Sequence, residues 1–297
     1  MPDFTGKYLR GCTRLFLRLG SIYSNINSGI GYMQSYKTSF IPKAEPNFST
    51  ALPKINRSVT VVIPALNEEG NLEKLLSDFQ ETFNNLGFIL PVLVVDDGST
   101  DRTPEILRSL SERYDFLQVI HHPRRMGVTA VWKTALDYVK TDWIFWGQAD
   151  LESDPKTDLP LLLGACVPGV DAVAGWRQKR GDGKVMASYL ANYTCRLLFG
   201  LEIHDMNWIK LVRRDLLAQL PIEKITHRYL LAVLAAQGHR ITEVPTPWHP
   251  RYSGKTKFGK KRLVTSAIDF IRVWFWFQIE GSLIKDSFNL APQNDLY

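Results

Sequence analysis

Val59-Thr60-Val61-Val62-Ile63-Pro64-Ala65-Leu66-Asn67-Glu68-Glu69 is a short β-branched run that stops at Pro64 and breaks at once into amide and carboxylate side chains. A continuous apolar run of this length is the pattern of a strand buried on both faces. The pattern repeats outward from it. Glu69–Asn84 has helical spacing through Leu72, Leu75, Leu76 and Phe79, and Val92–Asp97 is a second buried-type strand. Thr103-Pro104 then opens a helix through Ile106, Leu107 and Leu110, with proline at the favoured first position. Gln118–His122 reads as a strand, Thr129–Val139 as a helix and Trp143–Gly147 as a strand. Strands alternating with helices at this spacing form βαβ units, so the expected class is α/β with a mostly parallel sheet sandwiched by helices.

Ligands of open α/β sheets sit beyond the carboxyl ends of the strands. Three polar clusters fall there: Pro64-Ala65-Leu66-Asn67-Glu68-Glu69, Asp96-Asp97-Gly98-Ser99-Thr100-Asp101 and Gln148-Ala149-Asp150-Leu151-Glu152. One such cluster is ordinary turn and cap chemistry. Three at successive strand ends of one chain point to a site.

Composition narrows the field. The 297 residues are 45% hydrophobic and 22% charged, which excludes collagenous, coiled-coil and wholly disordered chains. Cys12, Cys166 and Cys195 are too scattered for a disulfide scaffold or a thiolate zinc site, and fit a reducing, cytoplasmic setting. Residues 1–57 hold eight Lys and Arg against Asp3 and Glu45, which accounts for the whole net charge of +6. The remainder is neutral, so a nucleic-acid partner is not expected. This N-terminal appendage is read as partly disordered or as an amphipathic helix presenting Arg10, Arg14 and Arg18 on one face. No run approaches the ~20 apolar residues of a membrane-spanning helix, and no signal peptide is visible. Residues 58–260 are expected to form a single domain, and 261–297 an aromatic and basic C-terminal helix.

The ordered motifs resemble the inverting GT-A glycosyltransferases of family 2. Within these they are most similar to the branch of dolichol-phosphate mannose synthase and the bacterial polyprenyl-phosphate sugar transferases. The resemblance runs over residues 58–260. It is carried by 62–69, 94–101 and 148–152, then by Gly175-Trp176-Arg177, His204-Asp205, Lys210-Leu211, Arg213-Arg214, Glu243-Val244-Pro245, and Arg251 with Gly254-Lys255-Thr256-Lys257-Phe258-Gly259.

The resemblance implies a UDP- or GDP-sugar donor. Pro64, Asn67, Asp96 and Asp97 would hold the nucleotide, with Asp97 near the base, and Glu68 or Glu69 would reach the ribose. The third cluster stands in place of the family's metal-binding Asp-x-Asp, where Mg²⁺ or Mn²⁺ would neutralise the departing diphosphate. Here the first acid is Gln148, and the segment keeps two carboxylates, Asp150 and Glu152. In an extended segment these point to the same side, so both are expected to ligate the ion, with Gln148 adding a carbonyl or binding the sugar.

The implied acceptor is a polyprenyl (dolichol-type) phosphate. Family members that act on hydroxyls place a carboxylate before a helix, whereas Ile225-Thr226-His227-Arg228-Tyr229-Leu230 has none. A phosphate is already anionic and needs positioning more than deprotonation. Arg177, Lys184 and Ser188 would orient it, Asp205 would be a polar support or sugar contact, and Lys255 and Lys257 would cover donor phosphates or acceptor. The basic 251–262 segment followed by Trp274, Phe275, Trp276 and Phe277 predicts peripheral contact with the cytoplasmic face of a membrane. Two rival readings remain: a hydroxyl acceptor served by Asp205 or His227 as base, and a catalytically weak nucleotide-sugar-binding protein, suggested by Gln148.

Overall fold

The computed structural model describes residues 58–179, 185–254 and 261–277. The N-terminal appendage, Lys184, Lys255 and Lys257 lie outside the described residues, and for Ser188 only the backbone is described. The chain runs β1 (Val59–Ala65), α1 (Leu72–Leu86), β2 (Val92–Asp96), α2 (Thr103–Arg113), β3 (Leu117–His121), α3 (Val128–Tyr138) and β4 (Trp143–Trp146). It continues through α4 (Pro155–Gly164), β5 (Ala172–Arg177), α5 (Val185–Phe199), β6 (Lys210–Arg213), α6 (Arg214–Ala218) and α7 (Ile222–Ile225). Then follow α8 (Leu230–Ala236), β7 (Ile241–Thr246) and α9 (Lys261–Trp276).

These strands make one seven-stranded sheet in the order β3-β2-β1-β4-β6-β5-β7. The pairs β1–β2, β2–β3, β1–β4 and β5–β7 are parallel, and only β6 runs against its neighbours β4 and β5. Side chains alternate between faces along each strand. Val61, Ile63, Val94 and Phe145 pack under α1, α2 and α4, while Val62, Val95 and Ile144 pack under α3 and α5 to α9. Both faces are covered, which is why β1 and β2 read as unbroken apolar runs.

Local chemistry sets the boundaries. α1 begins at Leu72 rather than Glu69, because Glu68–Asn71 close a turn in which the Asn71 N–H donates to the Glu68 carbonyl at 2.9 Å. Gly98 has φ +72°, and a Cβ there would stand 2.2 Å from the Arg124 carbonyl carbon, so glycine is required on both counts. This contact ties the loop after β2 to the loop after β3. The carboxyl ends of the six co-directional strands share one edge of the sheet. The segment leading into the reversed β6 reaches that edge as well, which gathers the polar clusters there.

Candidate active site

Asp96 and Asp97 are buried and bonded at the end of β2. The Asp97 carboxylate accepts from the backbone N–H of Met126 at 2.8 Å and of Gly127 at 2.8 Å to Oδ2, and it pairs with His122 Nδ1 at 2.9 Å. Asp96 accepts from Ser99 N at 3.1 Å and meets His121 Nδ1 at 3.0 Å. Both acids therefore hold the cleft's rim together. A nucleotide base reaching Asp97 would share oxygens that already accept backbone N–H groups. Beside them lies a cavity of about 490 Å³ lined by Asp96, Ser99, His121, Arg108, Arg124 and Arg125.

Asn67, in the left-handed region at φ +50°, knits the β1 and β2 loops. Its N–H donates to Ser99 Oγ at 2.8 Å, and its side-chain oxygen accepts from Thr100 N at 2.8 Å. Pro64 lies within β1, opposite Val95. Glu68 accepts from Asn71 Nδ2 at 2.5 Å and faces Arg251 Nη1 at 3.4 Å.

The third cluster corrects one expectation. Gln148–Glu152 is a turn, not an extended run: Leu151 is left-handed at φ +58°, and Glu152 N–H donates to Asp150 Oδ1 at 3.2 Å. The two carboxylates nonetheless converge, on Arg251. Its Nη2 stands 2.7 Å from Asp150 Oδ2 and its Nε 3.8 Å from Glu152 Oε1. Burial pushes the Asp150 carboxyl up to about 6, with Arg251 pulling down and Glu152 and Glu68 pushing up.

These residues fit a divalent cation. Asp150 is a desolvated anion, and the buried Gln148 Oε1 has no hydrogen-bond partner among the described residues. Among the described residues no three His, Cys, Asp or Glu are grouped so as to hold a metal ion, so protein side chains alone would not enclose one. Such an open donor set suits an ion that keeps waters and completes its shell with substrate phosphates.

At the end of β5, Arg177 makes a bidentate pair with Asp205, Nε–Oδ2 2.5 Å and Nη2–Oδ1 2.9 Å, and lies 4.5 Å over the Trp208 ring. Asp205 is thus a support for Arg177. Lys210 is fully enclosed nearby, and its ammonium donates to the Met206 carbonyl at 3.1 Å. Burial lowers it to about 8, against the opposing pull of Asp205. Asn192 of α5, one turn beyond Ser188, donates to the His204 carbonyl. His227 lies elsewhere, 3.3 Å from Thr129 Oγ1.

Sequence reasoning missed several of these groups. His121 ends β3 and His122 follows it; they bond the two aspartates, which their place at a third strand end could have signalled. In sequence Arg251 opens a basic segment, and nothing local marks it as the partner of three acids. His204 and Glu243 stand in the quoted motifs, but nothing local shows that they bond each other or that His204 stacks on Trp176 at 4.0 Å.

A family model described as glycosyl transferase family 2 matches residues 60–217. The dodecaprenyl-phosphate galacturonate synthase of Rhizobium johnstonii is 28% identical over 245 residues, covering 80% of this chain and 72% of the relative. The undecaprenyl-phosphate 4-deoxy-4-formamido-L-arabinose transferase of Edwardsiella ictaluri is 28% identical over 217 residues, covering 72% of this chain and 66% of the relative. Among solved structures, the glucosyl-3-phosphoglycerate synthase of Mycobacterium tuberculosis, crystallised with Mn²⁺, UDP and phosphoglyceric acid, superposes with a TM-score of 0.53 at 20% identity. It covers 75% of this chain and 78% of its own, a likeness of fold. With its GT-A-like sheet and the family match across the strand-end clusters, this chain belongs to glycosyl transferase family 2.

Proposed function

We propose that this glycosyltransferase moves a sugar, with inversion, from a UDP- or GDP-sugar to a polyprenyl phosphate at a membrane surface. The observation that carries the reading is the gathering of Glu68, Asp150 and Glu152, from the ends of β1 and β4, around one guanidinium, that of Arg251. Relatives that are polyprenyl-phosphate sugar transferases support the acceptor class.

Asp150 and Glu152, with the Gln148 carbonyl, would hold Mg²⁺ or Mn²⁺. When bound, such an ion supplies positive charge to the departing nucleoside diphosphate. Glu68 would accept from ribose hydroxyls, and the loops knit by Asp96, Asp97 and Asn67 would frame the base. On the acceptor side, Asp205 fixes Arg177 so that Nη1, unbonded among the described residues, stays available for a phosphate oxygen. Lys184 and Ser188 precede or open α5 and would complete the clamp, while Lys255 and Lys257 would close over the phosphates. An acceptor phosphate oxygen then attacks the anomeric carbon in line with the leaving diphosphate, and no residue needs to take a proton. Asp205, tied at both oxygens to Arg177, is a poor base, which disfavours a hydroxyl acceptor.

Membrane contact is supported by two helices. Among the described residues no helix is long and apolar enough to cross a membrane. α9 packs Phe270, and Phe277 just beyond its end, against Phe199 of α5, yet leaves Ile268, Ile271 and Phe275 exposed. α5 leaves Tyr189, Tyr193 and Leu197 exposed at intervals of four residues, one stripe of its surface. Such apolar stripes suit an interfacial position.

The test is a transfer assay with UDP- and GDP-sugars, Mn²⁺, and vesicles containing polyprenyl phosphate, read by mass spectrometry of the lipid fraction. A glycosylated lipid phosphate with stoichiometric nucleoside diphosphate is expected. Sugar transferred only to water or to soluble hydroxyl acceptors would defeat the acceptor assignment.

A further inference from the structure

Arg251 is 13% exposed as a side chain and stands among the carboxylates of Glu68, Asp150 and Glu152. It is driven there by its own backbone. His249 N–H donates to the Glu152 carbonyl at 3.0 Å, and Tyr252 N–H donates to the Asp150 carbonyl at 3.3 Å, one on each side of Arg251. The next residue, Ser253, presses on the start of α1 so closely that a Cβ on Gly70 would lie 2.5 Å from Ser253 Oγ. Residues 249–253 thus lie along the third cluster and deliver a guanidinium into its centre.

We propose that Arg251 is an internal counter-cation that occupies the acids in the free protein and gives them up only when a donor diphosphate arrives. The proposal rests on the nucleotide-sugar reading above and adds its regulation. Buried carboxylates need a partner, and removing one cation from such a cluster without replacement is strongly unfavourable. The guanidinium meets that need imperfectly, because its Nε has no hydrogen-bond partner among the described residues and stands 3.8 Å from Glu152 Oε1. Expelling Arg251 in favour of a free divalent ion would leave a guanidinium stranded in a poorly hydrated place. A diphosphate changes the balance, since Arg251 can exchange carboxylate oxygens for phosphate oxygens, which its planar fork matches equally well. Divalent ion and donor therefore bind as a coupled pair, and coupling of this kind is reciprocal.

The experiment uses the full chain as wild type, R251Q and R251K. Mn²⁺ binding is followed by electron paramagnetic resonance, and melting by thermal shift, with MnCl₂ alone and with UDP or GDP added. In nucleotide-free buffer R251Q should bind Mn²⁺ about tenfold more tightly than wild type, a difference of about 1.4 kcal/mol. It should also melt lower without metal and regain the loss when Mn²⁺ is added. Adding UDP or GDP should tighten Mn²⁺ binding far more in wild type than in R251Q. R251K, which keeps the charge without the fork, should fall between the two, and it carries the same comparison if R251Q does not fold. Equal affinity of the variants and wild type for Mn²⁺ alone would overturn the counter-cation role. Failure of any nucleotide to alter binding in any of the proteins would instead count against the donor reading. The two failures are thereby distinguishable.

Discussion

Two arginines sit at the same edge of the sheet in opposite electrostatic company. Arg251 faces three carboxylates, so among the described residues its surroundings retain an excess of negative charge. Arg177 faces one, Asp205, with the buried Lys210 close behind, so its surroundings retain an excess of positive charge. Desolvated charge is costly unless paired, and the sign left over in each place states what it lacks. Among the described residues the β1–β4 end carries surplus acid, and the β5–β6 end surplus base. A transferase that holds a cation-bound diphosphate at one place and a phosphate nucleophile at the other needs that polarity.

The largest effect should come from reducing the negative surplus. D150N preserves shape but removes the acid closest to Arg251. Nucleoside diphosphate release in the presence of Mn²⁺ should fall about 10³-fold, the scale of losing a preorganised electrostatic group, with the far-ultraviolet circular dichroism unchanged. E152A should weaken Mn²⁺-dependent donor binding, seen as a smaller thermal shift with UDP or GDP. Near-normal turnover in D150N, or an unaltered shift in E152A, would mean that the acid cluster is not where the donor is held.

The positive end predicts a different split. R177A should raise the KM for polyprenyl phosphate about 100-fold, equivalent to about 2.7 kcal/mol, while the donor KM stays within about twofold. Because R177A strands the Asp205 carboxylate, the double variant R177A/D205N separates lost ligand contact from a stranded charge. If the double variant recovers acceptor KM, Arg177 serves only to balance Asp205. A comparable rise in donor KM would erase the distinction between the two ends.

The two ends also differ in how far they could be read beforehand. Strand runs such as Val59–Ala65 and Val92–Asp96 are set by local side-chain type, and the acids after them follow directly, so elements and clusters of the first half were legible within a few residues. Lys210–Arg213 carries no mark of its reversed direction, because orientation is decided by its pairing with Trp143–Trp146 and Ala172–Ala174. The Arg251 contact joins residues 101 and 183 positions apart, a closure that no local pattern encodes. Leu151 in the left-handed region was equally hidden, since leucine gives no signal for positive φ. Pairs such as Arg177 with Asp205 are fixed by tertiary geometry, so the motif identified the residues but not their partner.

The smallest effect sharpens the comparison most finely, because Lys210 cannot touch a ligand and acts through charge alone. Its ammonium is lowered to about 8 chiefly by burial, so between about 8 and the ordinary lysine value the unfolded chain binds a proton that the folded chain lacks. Stability should therefore rise with pH across that window. Below pH 8 the folded protein carries the full cost of the buried charge. K210M fills the same volume without charge, so at pH 7 it should be more stable than wild type, by about 1–3 kcal/mol on the scale of replacing buried charges by apolar groups. Its stability should also lose the rise above pH 8. If the positive surplus behind Arg177 helps to attract the acceptor, the same variant should raise the KM for polyprenyl phosphate about threefold, leaving the donor KM unchanged. A K210M protein that is less stable at pH 7, with acceptor KM unmoved, would make Lys210 an internal partner of Asp205 and leave Arg177 as the sole source of attraction at that end.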